Sequence, residues 1–336
     1  MRIAYAIVLF VVFVFSLPSK AQIRNYKSIE IPGAYCGNGA PYNIYLSKKS
    51  TSKLAVEFMG GGACWSQKTC LSATPSTAIF PLGTPLPSRL SGFTALRSPI
   101  KKHSLIYFPY CTGDVFAGEH TALYENKLEV HHVGYSNVVK AIAYLKQNKL
   151  IEFEKVKDFV VYGSSAGAIA SLVHAKNFAK ELPATSKKTI IADAPGLHFG
   201  KRFWQKFTPQ LIADYSKNFA KLNVIIDPED GNIARQMPKM CKSLEDWEIG
   251  ILQGSRDVIM SWGFGDISPL EHEELIYSKD GIVENTRSTD NCFVWVPKTE
   301  LHTFLLASFP VYIKGMGALG FTKAILSRNI QHNYQQ

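Results

Sequence analysis

Several familiar signatures are missing from this 336-residue chain, and each absence narrows what it can be. None of its cysteines forms a C-x₂-C pair and no two histidines show finger spacing, which argues against a zinc site. A helix-turn-helix, a zinc finger and an aromatic RNA-binding signature are all lacking, so nucleic acid is not the expected partner despite the basic balance. Beyond the N-terminal leader there is no run of 18 apolar, uncharged residues, and hence no expected membrane span after it. Internal repeats and low-complexity tracts are also absent, so solenoids and linker arrays drop out. Acidic residues are in deficit, 27 Asp and Glu against 37 Lys and Arg, for a net charge of +10.

What is present begins with a leader. Arg2 precedes an apolar stretch from Ile3 to Leu17, broken at Pro18 and followed by Ser19, Lys20 and Ala21. The stretch is short for a membrane span, and its small residues suit signal peptidase, so residues 1–21 read as a signal peptide cleaved before Gln22. The expected location is secreted or periplasmic. All six cysteines (Cys36, Cys64, Cys70, Cys111, Cys241 and Cys292) follow the cleavage point, and an even count in an exported chain favours disulfides. Composition leaves their pairing open. Without Arg2 and Lys20 the chain keeps a surplus of eight positive charges, which suits an acidic polysaccharide or cell-surface glycan as well as it suits solubility.

Strand-like and helical runs alternate through most of residues 22–336, the pattern of one α/β domain on a mainly parallel sheet. Strands are expected at Tyr42–Leu46, Leu54–Phe58, Ser104–Phe108, Asp158–Tyr162, Thr189–Ala192, Glu248–Leu252 and Cys292–Val296. Helices are expected at Ser136–Gln147, with Ser136 as N-cap, at Ala168–Lys180 and at Leu301–Ser308. The Pro-rich stretch Pro81–Pro99 reads as surface loop. Residues 200–246 form a basic insertion dotted with Phe203, Trp204, Phe207 and Tyr215, either a cap over a site or a helix packed on the sheet.

The chemistry centres on Gly163-Ser164-Ser165-Ala166-Gly167, between the apolar run Phe159-Val160-Val161-Tyr162 and the helix-like Ala168-Ile169-Ala170-Ser171-Leu172. In this strand-turn-helix setting it reads as a nucleophile elbow on Ser165, where only very small residues fit two positions to either side. A serine hydroxyl needs a base, and the base needs a carboxylate. In the chain order Ser, acid, His, the acid that fits best is Asp257, just past the strand Glu248–Leu252. Asp193 at the end of Ile190-Ile191-Ala192 competes with it, and Asp266 and Asp290 are outsiders. His302 is the expected base, since His272, the other histidine downstream of Asp257, sits in the charged run Glu271-His272-Glu273-Glu274 and reads as a solvated helix start. Gly60-Gly61-Gly62-Ala63, directly after the strand Leu54–Phe58, reads as an oxyanion loop, with the N–H of Ala166 as its partner donor. A Walker loop would need Lys-Ser/Thr after the glycines, and none follows. His131 and His132 are adjacent, so on a strand they would face opposite ways and not share an ion. Asp114 and His132 are candidate substrate contacts, and no metal or cofactor is called for.

Taken in order, these segments resemble the pectin acetylesterases and the related carboxylesterase Notum. The markers are Gly60-Gly61-Gly62-Ala63-Cys64-Trp65 with Cys70, Pro109-Tyr110-Cys111-Thr112-Gly113-Asp114, His131-His132-Val133-Gly134-Tyr135-Ser136-Asn137, the elbow at Ser165, and the late Asp257 and His302. The resemblance implies an α/β-hydrolase fold with a central, mainly parallel sheet flanked by helices. It further implies a Ser165-Asp257-His302 triad, an oxyanion hole from Gly61, Gly62 and Ala166, and disulfides Cys64–Cys70, Cys36–Cys111 and Cys241–Cys292. Plant members carry Trp directly before the loop cysteine; here Ala63 precedes Cys64 and Trp65 follows it, so Trp65 is a further candidate substrate contact. The implied activity is hydrolysis of an ester, foremost an O-acetyl group on an acidic polysaccharide such as pectin. The alternatives are a lipid acyl group on a protein, an extracellular polyester, or glycan binding without turnover.

Overall fold

The computed structural model describes residues 24–71, 79–81, 88–91, 98–307, 309–330 and 333–336. The leader and its cleavage point, together with most of the Pro-rich stretch, lie outside the described residues. Thirteen strands are found among the described residues: β1 Lys27–Tyr35, β2 Pro41–Ser47, β3 Lys53–Phe58, β4 Ser104–Phe108, β5 His120–Tyr124, β6 Leu128–His132, β7 Asp158–Ser164, β8 Lys187–Asp193, β9 Trp247–Leu252, β10 Cys292–Val296, β11 Tyr312–Ile313, β12 Met316–Gly317 and β13 Tyr334–Gln335. Nine of them form one sheet in the order β1-β2-β4-β3-β7-β8-β9-β10-β13. β1 and β2 are antiparallel to each other, β2 is antiparallel to β4, and every pair from β4 to β13 is parallel. The protein therefore has the mostly parallel, helix-flanked sheet of an α/β-hydrolase-like fold.

The strand sequences explain this arrangement. Parallel strands covered on both faces read as continuous apolar runs, and β7 and β8 are buried along nearly their whole length. Alternate residues feed two cores. Val56, Phe58, Phe159, Val161 and Ile190 point into one, and Ala55, Val160, Tyr162 and Ile191 into the other. Within the first, the fully buried Phe58 stacks on Phe108 at 4.9 Å and meets Phe116 at 5.2 Å, directly beneath the glycine loop. Chain order reverses at β3, which has β4 on one side and β7 on the other. Such a switch point opens a crevice at the carboxyl ends of the strands. The glycine loop leaves β3 there, and the elbow leaves β7.

Three helix expectations need correction. The helix expected from Ser136 begins at Gly134 and runs to Gln147. Its start is set by Asp114, whose Oδ2 accepts from Gly134 N at 2.7 Å, a cap supplied from twenty residues upstream. The run Ala168–Lys180 is two helices, Ala166–Val173 and Ala175–Ala179, joined at His174. The segment Leu301–Ser308 forms no helix over its described residues, 301–307. Thr303 is left-handed (φ +62°), and the N–H groups of Phe304 and Leu305 go to the Asp193 carboxylate in place of helical carbonyls.

Strand β1 and the β5–β6 hairpin were not anticipated. The insertion holds a helix at Pro209–Phe219, N-capped by Thr208, and another at Met237–Ser243, with Phe203, Trp204, Phe207 and Tyr215 all buried in the first core. Disulfides join Cys36 to Cys111, Cys64 to Cys70 and Cys241 to Cys292. Among the described residues, no helix is long and apolar enough to cross a membrane.

Candidate active site

Ser165 sits at the crossing from β7 into the helix Ala166–Val173 with φ 54° and ψ −123°, a conformation an L residue holds only under constraint. The constraint is visible in the two glycines. A Cβ on Gly163 would overlap the Gly167 carbonyl, and one on Gly167 would overlap the Phe58 carbonyl, so the turn closes only with both positions bare. Ser165 N donates to the Asp193 carbonyl at 2.8 Å, tying the turn to the end of β8. The Ala166 N–H opens the following helix, where the first N–H groups have no acceptor within the helix.

The glycine loop lies against this turn. A Cβ on Gly60 would come within 3.4 Å of the Ser165 Cβ, and the Ser165 hydroxyl donates to the Gly61 carbonyl at 3.3 Å. Tyr110 braces the loop from below: its hydroxyl donates to the Gly62 carbonyl at 2.5 Å and accepts from Val115 N at 2.7 Å. The role of Tyr110 was not foreseen, although it lies in a segment singled out from the sequence. No local pattern reports a tyrosine reaching forty-eight residues back.

Asp257 and His302 meet. Asp257 is completely buried in the loop after β9, and His302 Nδ1–H donates to its Oδ2 at 2.8 Å; an ionised carboxylate only accepts, so the proton is on Nδ1. The same oxygen accepts from Gln253 Nε2 at 3.2 Å, while Oδ1 accepts from Ile259 N and Met260 N at 3.0 Å each. These last two bonds anchor a π-helical turn, Ile259–Gly263. The two loops are laced together by Arg256 N to Thr299 O (3.0 Å) and Val258 N to Glu300 O (3.3 Å). With Nδ1 engaged by the carboxylate, Nε2 is the nitrogen left for proton transfer, the orientation a histidine base requires.

The competing acid is otherwise employed. Asp193, fully buried at the end of β8, accepts from Phe304 N at 2.9 Å and Leu305 N at 2.8 Å. Burial pushes its carboxyl up to about 6, against those two N–H groups. His272 is not a solvated helix start. It is fully buried on the helix Pro269–Tyr277, its Nδ1 2.8 Å from the Ser255 carbonyl under the acid loop, and burial lowers its pKa. The solvent-facing start of that helix is the capping box of Ser268 and Glu271.

The candidate substrate contacts separate. Asp114 is fully buried, taking Thr112 Oγ1, Phe116 N and Gly134 N, and His132 is fully buried between the Tyr124 hydroxyl and the Thr112 carbonyl. Their polar atoms serve the scaffold. His132 also approaches Cys64 and Cys70, but both sulfurs are in a disulfide and offer no thiolate to a metal. Trp65 is half-buried and packs on Phe207 (5.1 Å) and Phe264 (6.1 Å), in an aromatic cluster between the glycine loop and the π-helical turn. The Lys206 ammonium fills that cluster, 4.4 Å from the centre of Phe203, 4.8 Å from Phe264 and 5.3 Å from Trp65, bonded to the Phe264 carbonyl and, at 3.0 Å, to Asp266.

A comparison with protein families finds that the pectinacetylesterase model matches residues 18–243, two thirds of the chain, including the glycine loop and the elbow. The chain belongs to the pectinacetylesterase family. Membership supports a carboxylesterase acting on acetylated polysaccharide. No curated protein gives a significant match. The matched span of the pectinacetylesterase family ends before Asp257 and His302, so the roles of these two residues rest on their geometry.

Proposed function

We propose that the protein is an exported serine esterase that removes acetyl groups from an acidic polysaccharide such as pectin, with Ser165 as nucleophile, His302 as base and Asp257 as acid. The observation that carries this reading is the His302–Asp257 hydrogen bond of 2.8 Å, made by loops leaving adjacent parallel strands at the sheet end that carries the elbow. His302 Nε2 takes the Ser165 proton as Oγ attacks the ester carbonyl. The oxyanion is met by N–H groups of Gly61, Gly62 and Ala166. Collapse expels the sugar hydroxyl, which takes the proton from His302, and leaves an acetyl-Ser165. Water, deprotonated by His302, then releases acetate. The Ser165 hydroxyl rests on the Gly61 carbonyl, and it must turn to His302 for the proton transfer.

Residues 22–336 act as one catalytic domain after loss of a leader at 1–21, with residues 200–246 contributing a wall of the site. Three disulfides and the surplus of Lys and Arg suit an oxidising compartment and an anionic polymer. A short acyl group is favoured by the Lys206 ammonium, which sits among the aromatic rings beside the glycine loop and suits an acetyl group better than the long apolar chain that Notum-like enzymes remove.

Labelling with a fluorophosphonate followed by peptide mapping tests the triad, with modification expected on Ser165 and lost in S165A. A folded protein that takes no label would instead be a glycan-binding relative without turnover. Rates on acetyl, butyryl and octanoyl esters, beside acetate release from acetylated pectin, test the substrate. A preference for octanoyl would overturn the acetylesterase reading.

A further inference from the structure

The buried carboxylate of Asp193 lies outside the triad, yet it touches the backbone on both sides of the reaction. Its main-chain carbonyl accepts from Ser165 N at 2.8 Å. Its side chain, 0 % exposed, accepts from Phe304 N with both oxygens at 2.9 Å and from Leu305 N with Oδ2 at 2.8 Å. Those two N–H groups follow His302 by two and three residues, immediately after the left-handed Thr303 (φ +62°). A non-glycine residue in that region is strained and persists only where its surroundings over-determine it. Hydrogen bonds to a buried carboxylate are of the strong, charge-assisted kind that can do so. We propose that Asp193 is a positioning residue for the catalytic base: its carboxylate holds the Thr303 turn in the one conformation that presents His302 to Ser165 while Asp257 fixes the ring.

This role rests on the triad reading above. Its electrostatic setting supports it. Burial pushes the carboxyl up to about 6, the N–H groups of Phe304 and Leu305 and the nearby His302 pull it down, and Asp257 pushes it up. Tyr162 on the neighbouring strand β7 also faces it. A carboxylate placed at such cost, with its acceptors spent on backbone and none on the imidazole, is accounted for by the loop it holds.

The test compares wild type, D193N and D193A, each titrated with a fluorophosphonate to count intact Ser165 sites. The amide of D193N keeps one acceptor oxygen but sets an N–H₂ group against Phe304 N. Per titrated site, kcat on an acetyl ester is expected to fall about tenfold in D193N and about a hundredfold in D193A, with KM within about twofold of wild type, because a displaced base slows chemistry and not binding. Full labelling stoichiometry at slowed labelling rates should accompany this. Wild-type kcat per site in D193A would overturn the proposal. So would loss of folded protein in both variants, which would make Asp193 a residue of stability alone. A wild-type label on a residue other than Ser165 would remove the triad itself, an outcome read independently of either variant.

Discussion

The Ser165 turn and the His302 loop are built in opposite ways. At Ser165 the strained backbone is permitted by neighbouring glycines: Gly163 leaves room for the Gly167 carbonyl in the same pentapeptide, Gly167 for the Phe58 carbonyl at the end of β3, and the Ser165 carbonyl receives Ala168 N at 2.8 Å. Beside His302 the left-handed backbone of Thr303 is held from afar. Asp257 is 45 residues away and Asp193 is 111 residues from Phe304. The glycines that permit the Ser165 turn lie beside it in the chain, although Gly167 packs on β3 and Ser165 N bonds to the end of β8. A loop held by two buried carboxylates, one at the end of β8 and one in the loop after β9, exists only once the sheet has assembled, and the placement of His302 is thereby tied to the integrity of the fold.

The sharpest way to break the comparison is to remove the reacting groups. S165A and H302A should each lower turnover of an acetyl ester by about 10⁵-fold, nearly the same for either, since the two act as a unit. Unequal losses, with H302A close to wild type, would take His302 out of the mechanism. D257N should cost about 10⁴-fold through loss of the productive His302 tautomer, with folding intact by circular dichroism. On the local side, G163A should destabilise the protein by about 1–3 kcal/mol and cost about a hundredfold in activity, because the added methyl meets the Gly167 carbonyl. Equal stability in denaturant melts would show that the turn has slack. K206A, which empties the aromatic cluster, should raise the octanoyl-to-acetyl rate ratio about tenfold, and an unchanged ratio would place the cluster away from the acyl group.

The smallest expected effect is on stability against pH. Burial holds His174 and His198 down to about 3 and His132 to about 4, well below the ordinary value near 6.5. Their contribution is present above about pH 6.5 and is lost as pH falls toward 4, since only the unfolded chain takes up those protons. Asp193, raised to about 6, and Glu57, raised to about 7, work the other way: their contribution is full below about pH 4 and is lost as pH rises through 6 and 7. The three histidines outweigh the two carboxylates, so Tm should drop by about 3 °C per pH unit on acidification between pH 6.5 and 4. Calorimetry showing a flat or rising Tm in that window would contradict the burial of these histidines.

Much of the sheet could be read from the chain because parallel strands buried on both faces leave unmistakable apolar runs; β4 and β10 were located to the residue. The elbow and the glycine loop were equally readable, since their requirements fall on adjacent residues. Failures came where a distant group overrode a local preference. Leu301-His302-Thr303-Phe304-Leu305 has the look of a helix start, yet Asp193 takes the N–H groups a helix would use. The helix at 134–147 starts two residues early because Asp114 caps it from another loop. His272, surrounded by glutamates in sequence, lies buried beneath Ser255 because its own side of the helix faces the acid loop.

The Ser165 elbow and the glycine loop are therefore legible in short stretches of chain, because the need for bare backbone at fixed positions selects glycine there. The assignment of the two buried aspartates, Asp257 to the imidazole and Asp193 to the backbone beyond it, arises only in the folded sheet. Both are fully buried at the carboxyl end of the sheet, Asp193 closing β8 and Asp257 in the loop after β9, and the sequence favoured Asp257 only by its place past the strand. Which one His302 meets is set by the spacing of β8, β9 and β10 and by where the last loop crosses their ends.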